Sequence, residues 1–133
     1  MDGKAMKEIL VPISPGELLD KITILQIKAS RILDQDKVDN IRRELRMLDA
    51  IWSDAVSKSI PILVMEEIEL RAVNESLWDT VEDIHRCEKE GRFDEYFMTL
   101  ARRVCVDNDK RAAIKKRINN ILGSKLIEEK SHQ

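Results

Sequence analysis

The 133-residue chain is short of the residues that interrupt helices and of those that favour sheets: four glycines, three prolines and five aromatics, against 36% charged residues. So little turn-forming and ring-bearing material argues against a strand-rich fold and makes an all-α fold the expectation. Cysteine is scarce as well. Cys87 and Cys105 form no C-x-x-C and stand at no metal-ligand spacing, which points to two reduced, partly buried thiols and to no metal or other cofactor. No segment approaches the roughly 18 consecutive apolar residues of a membrane span, and Met1-Asp2-Gly3-Lys4 lacks the apolar stretch of a secretory signal. A cytoplasmic protein without a membrane partner is expected. Charge of one sign is missing too: 23 basic and 25 acidic residues are interspersed, for a formal charge of −2, so no global field draws the chain to nucleic acid. The basic run Arg42, Arg43 and Arg46 is diluted by Asp39, Glu44 and Asp49 and has no aromatic platform beside it, so nucleic acid is not an expected partner.

What is present is a succession of helical signals in a chain long enough for one core. Residues 1–13 are read as an extended arm, because Lys7 to Ile13 is short, apolar and β-branched and contains Pro12. Ser14-Pro15-Gly16-Glu17 opens the first helix: Ser14 is the N-cap, Pro15 takes the first helical position and Glu17 is placed to close a capping box. That helix, to about Leu33, has a core face of Leu18, Ile22, Leu25, Ala29 and Ile32, with Leu19, Ile24 and Ile27 off it, so it needs cover on more than one side. The second, about Lys37 to Lys58, carries a single coiled-coil-like stripe of Val38, Ile41, Leu45, Leu48, Trp52 and Ala55. Ser59-Ile60-Pro61 starts a third that runs to about Glu90, with Met65, Ile68 and Ala72 opposite its main face. A fourth runs from Phe93 to Leu122, and residues 124–133 form a frayed tail.

Short connections make this an antiparallel up-down four-helix bundle over residues 14–123, with long third and fourth helices. The length mismatch, the two-sided helices and the unpaired arm make a homo-oligomer the economical way to cover apolar surface.

The strings Val11 to Leu25, Leu77-Trp78, Asn108-Asp109-Lys110-Arg111-Ala112-Ala113-Ile114-Lys115 and Leu122-Gly123-Ser124-Lys125-Leu126 together resemble a family of short bacterial proteins. The resemblance covers most of the chain and implies no activity, cofactor or catalytic residue.

Candidate residues must then come from the pattern itself. At about 100° per residue, Phe93, Phe97, Leu100, Val104, Ile118 and Leu122 share a face with Asn108, Arg111 and Lys115. Polar groups on a core face need partners. Asn108, Arg111 and Lys115, with Asn74 from the third helix, are therefore the candidate ligand-binding residues, suited to an anion held by a guanidinium fork and an ammonium. The alternative is that Asp107-Asn108-Asp109 stops the helix and caps a new one, turning Lys115 away, while Arg111 bridges to an acid such as Asp20, Asp49 or Glu75. Asn74 could bond across helices, for instance to Asn108. The acidic residues of the third helix read as a solvated face, with Glu82 and Arg86 paired at i,i+4, and His85 as a packed side chain at the margin of the helix's apolar stripe, beside Trp78 and Val81. No nucleophile elbow or glycine-rich phosphate loop is present, and no catalytic residue is assigned. Two functions fit: a non-enzymatic oligomerising or protein-interaction module, and a bundle or enzyme that takes a small anionic molecule against Arg111 and Lys115.

Overall fold

The computed structural model describes residues 5–56 and 63–125. It contains four helices, α1 (Pro15–Arg31), α2 (Gln35–Ala55), α3 (Val64–Glu90) and α4 (Glu95–Ile121), and no strand among the described residues. α1, α2 and α4 each start where a side chain takes orphan amides, whereas α3 follows Leu63 without a side-chain cap. Ser14 accepts from the Glu17 amide, Asp34 from those of Asp36 and Lys37, and Asp94 from that of Phe97. The Asp94 cap places Phe93 outside α4, not at its start. Ser59-Ile60-Pro61 lies outside the described residues. Gly91 ends α3 at φ 63°, in the left-handed region that glycine adopts without a Cβ penalty.

α1 touches all three other helices, whereas α2 rests chiefly on α1. Partners run in opposite directions along α1 and α4, from Gly16 with Asn119 to Asp20 with Arg111, and along α3 and α4, from Glu69 with Arg117 to Ser76 with Asp107. This is the up-down sense expected of short connections. The core forms where α1, α3 and α4 meet: Leu19, Leu70, Val73, Ile114 and Ile118 are buried together, with Trp52 and Val56 packed against them from the end of α2. Coverage from several sides explains the broad buried arc of α1, which includes Leu18, Leu19, Ile22, Leu25 and Ile27. The α2 stripe is covered from one side: Val38 is buried, Ile41, Leu45, Leu48 and Trp52 are half-buried, and Ala55 is exposed. At 1.5 Å per residue α3 and α4 each reach roughly 40 Å and α1 about 25 Å. The long pair therefore runs past α1 as a two-helix hairpin, where Phe93 and Phe97 meet edge to face at 5.3 Å.

The arm is outside the core. Met6, Ile9, Leu10 and Val11 are between 69% and 88% exposed. On α3, Met65 and Ile68 are exposed opposite the core, as the two-sided pattern requires. Cys87 is buried but Cys105 faces solvent, so the second thiol is more accessible than its apolar neighbours suggest.

Candidate functional site

The α1–α4 seam is sewn by polar contacts in sequence. Gly16 sits so close to α4 that a Cβ there would stand 2.4 Å from the Lys115 carbonyl oxygen, and its amide donates to Asn119 Oδ1 at 2.7 Å. One turn on, Lys115 Nζ donates to Glu17 Oε2 at 2.9 Å; the carboxylate that the capping box would use reaches across to α4. One further turn on, Asp20 is fully buried. Arg111 forks it, donating from Nε to Oδ1 at 2.9 Å and from a terminal nitrogen to Oδ2, while Asn74 Nδ2 donates to Oδ1 at 2.9 Å. A bidentate guanidinium and an amide are what a carboxylate needs when water is excluded.

α4 is helical without a break through Asp107-Asn108-Asp109. Asp107 is the member of this trio that turns inward, 6% exposed, and Ser76 Oγ donates to its Oδ2 at 2.7 Å. Asn108 is exposed. The reason is phase: Asp107 follows Leu100 by seven residues, two turns of a coiled-coil-like seam, and Asn108 lies a further 100° round. The structure thus brings Asn74 and Arg111 together on Asp20, puts Lys115 one turn away on Glu17, and leaves Asn108 apart. Of the acids weighed for Arg111, Asp20 takes it, whereas Glu75 is held by Arg71. Arg86 pairs with Asp83 at i,i+3, not with Glu82.

Two depressions flank Arg111. The first, a cleft of about 350 Å³, has apolar walls of Ile24, Ile27, Leu77, Trp78 and Val81. Asn74 and Arg111 also line it, together with Glu82 and the exposed His85. The second, about 280 Å³, is shared among Arg111, Lys21, Lys28 and the acids Glu17, Asp20 and Glu44. Its charges balance, which favours mutual pairing over capture of an anion. Sequence reasoning named Arg111 and Asn74 but not the cleft, because Ile24 and Ile27 lie off the core face of α1, and which part of α3 stands opposite them depends on how the two helices pack. Among the described residues no group of three or more His, Cys, Asp or Glu side chains is arranged to hold a metal ion, and no helix is long and apolar enough to cross a membrane.

Neither a curated protein nor a solved structure matches the chain. A family model does match, over residues 9–133, and the chain therefore belongs to DUF6165, a family of unknown function.

Proposed function

We propose that this protein is a non-enzymatic helical module that works in the cytoplasm by associating with itself, and through its uncovered faces with other proteins. The observation that carries this reading is the contrast between its polar and apolar chemistry. The inward-facing cations hold carboxylates of the same chain, Arg111 on Asp20 and Lys115 on Glu17. An anionic ligand at either would have to displace an acid. The apolar surface is not settled in this way: the arm exposes Met6, Ile9, Leu10 and Val11, and α3 exposes Met65 and Ile68. Contiguous exposed apolar surface on a small domain marks an association site. Sedimentation velocity from micromolar to millimolar chain should show a concentration-dependent oligomer. A monomer throughout, with no binding of a hydrophobic dye, would remove the reading.

A second reading has its own support, since Asn74 and Arg111 line the same cleft. A small amphipathic anion seated there would raise the melting temperature by mass action. Inorganic phosphate and short aromatic carboxylates are the probes, and an unchanged melting temperature in all of them sets this reading aside.

A further inference from the structure

We infer that the cleft between α1 and α3 is the seat for the N-terminal arm of a second copy of this chain, exchanged reciprocally in a two-fold dimer. The inference rests on the self-association reading above and names its contact. Three properties of the arm fit the cleft and a fourth directs it to another molecule.

The first is alternation. In a stretched backbone side chains at i and i+2 share a side, so Ile9, Val11 and Ile13 form an apolar edge that ends in Lys7, while Leu10 lies on the opposite edge with Met6 and Glu8. The walls of the cleft are apolar, from Ile24, Ile27, Leu77, Trp78 and Val81. The second is charge: Glu82 lines the same cleft, while its neighbours Asp79 and Asp83 are held by Arg31 and Arg86, and Lys7 is the group complementary to Glu82 at the end of the arm's apolar edge. The third is the backbone. An extended segment entering an apolar cleft brings amide and carbonyl groups that must be partnered. Asn74, 5% exposed, lines the cleft and has its Nδ2 turned to Asp20. That bond fixes the amide's orientation and leaves its carbonyl oxygen as the acceptor for a backbone N–H.

The fourth property is stiffness. Val11 precedes Pro12 and Ser14 precedes Pro15, and a residue before proline is held to extended conformations; Ser14 has φ −73° and ψ 152°. The cleft begins at Ile24, two to three turns along α1 from where the arm joins it. To reach its own cleft the arm would have to double back at Ser14, against both prolines. Projecting outward, it is presented to a neighbour, and a two-fold arrangement in which each copy gives its arm to the other's cleft fills both clefts and leaves no open end.

Full-length variants test this by sedimentation equilibrium. Ile9→Asp with Val11→Asp on the arm, and Val81→Arg on the exposed rim of the cleft, should each weaken the dimer about tenfold or more, while Leu10→Asp on the opposite edge should leave it nearly unchanged. All altered positions are exposed, and circular dichroism confirms that helicity is kept. Mixing the arm variant with the Val81→Arg variant should restore a heterodimer, since one intact arm then meets one intact cleft. A dimer that survives the arm and cleft substitutions overturns the inference but leaves self-association standing, as does a dimer sensitive only to Leu10→Asp or a mixture that stays monomeric. A wild-type chain that is monomeric throughout overturns both.

Discussion

Asp20 is a fully buried carboxylate whose two partners lie 54 and 91 residues away along the chain. Removing one side of such a pair is not equivalent to removing the other. Arg111→Ala strands a charge in the interior with one amide for company, and should cost about 3–5 kcal/mol. Asp20→Ala leaves a guanidinium whose side chain is already 26% exposed, free to turn toward water, so the cost falls to about 1–3 kcal/mol, mostly from unmade hydrogen bonds. Urea denaturation of the two variants checks the order, and an Asp20→Ala loss equal to or above that of Arg111→Ala would refute the account. Gly16 poses a different problem of the same size. A methyl group there meets the Lys115 carbonyl, which is backbone and cannot swing aside, so Gly16→Ala should destabilise by about 1–3 kcal/mol by overpacking. A neutral or stabilising result in the same urea series would mean that α1 and α4 are not in contact at that point. In the sequence Arg111 stands out as a cation on an apolar face, and Asp20 is one of three acids within its possible reach. Choosing among them requires knowing that α1 and α4 run antiparallel with Gly16 against Asn119, which no local pattern contains.

The starts of α1, α2 and α4 are each capped by one side chain, and α4 depends on one that titrates. Asp94 accepts from the Phe97 amide at 3.3 Å and from Arg92 Nε at 2.8 Å; the bond from Arg92, followed by that from the Phe97 amide, holds its carboxyl below the usual carboxylate range. A depressed acid stabilises the fold above its unfolded pKa and loses that contribution as pH falls through the folded one. The first turn of α4 should therefore fray as pH falls below the ordinary carboxylate pKa of about 4. Amide shifts of residues 95–98 report it, and Asp94→Asn, which can still cap, should abolish the acid-dependent change. A persisting transition in that variant would assign the fraying to another group. The same caps explain why the elements were readable. Ser14-Pro15 and the spaced apolar stripe of α2 each combine a local start signal with a 3.6-residue period, and α1 and α2 appear within a few residues of where these place them. The seam of α4 was harder to read, because Asp107-Asn108-Asp109 carries cap-forming residues whose propensity opposes a helix by only fractions of a kcal/mol each. Packing of Leu100, Ile114 and Ile118 on either side, and Ser76 on Asp107, overrides that preference and keeps the helix continuous.

At the scale of the molecule, stability is unevenly distributed because the helices are of unequal length. Leu70, Val73, Ile114 and Ile118 sit where α1, α3 and α4 converge, and the end of α2 closes that region. Past the end of α1 the α3–α4 hairpin has only its own two faces to bury. Cys87 and Leu100 are buried there, but Phe93, Tyr96 and Met98 are each 40% exposed or more. What holds the tip is local: the Phe93–Phe97 ring contact, and the Arg92 guanidinium 4.6 Å from the Tyr96 ring centre, each worth about 1 kcal/mol. Regions with few buried contacts open below the global unfolding free energy. Amide hydrogen exchange should thus divide α3 and α4 along their length, with residues 70–77 and 111–118 exchanging only by global unfolding. Residues 84–90 and 95–101 should exchange through a local opening that urea barely affects, since little surface is exposed when the tip parts. Phe97→Ala should speed exchange at the tip and leave the converging region unchanged. Equal protection along both helices, with the same urea dependence, would mean that the hairpin is supported by something beyond its own two helices, and the apolar residues at its tip would then belong to a second contact surface.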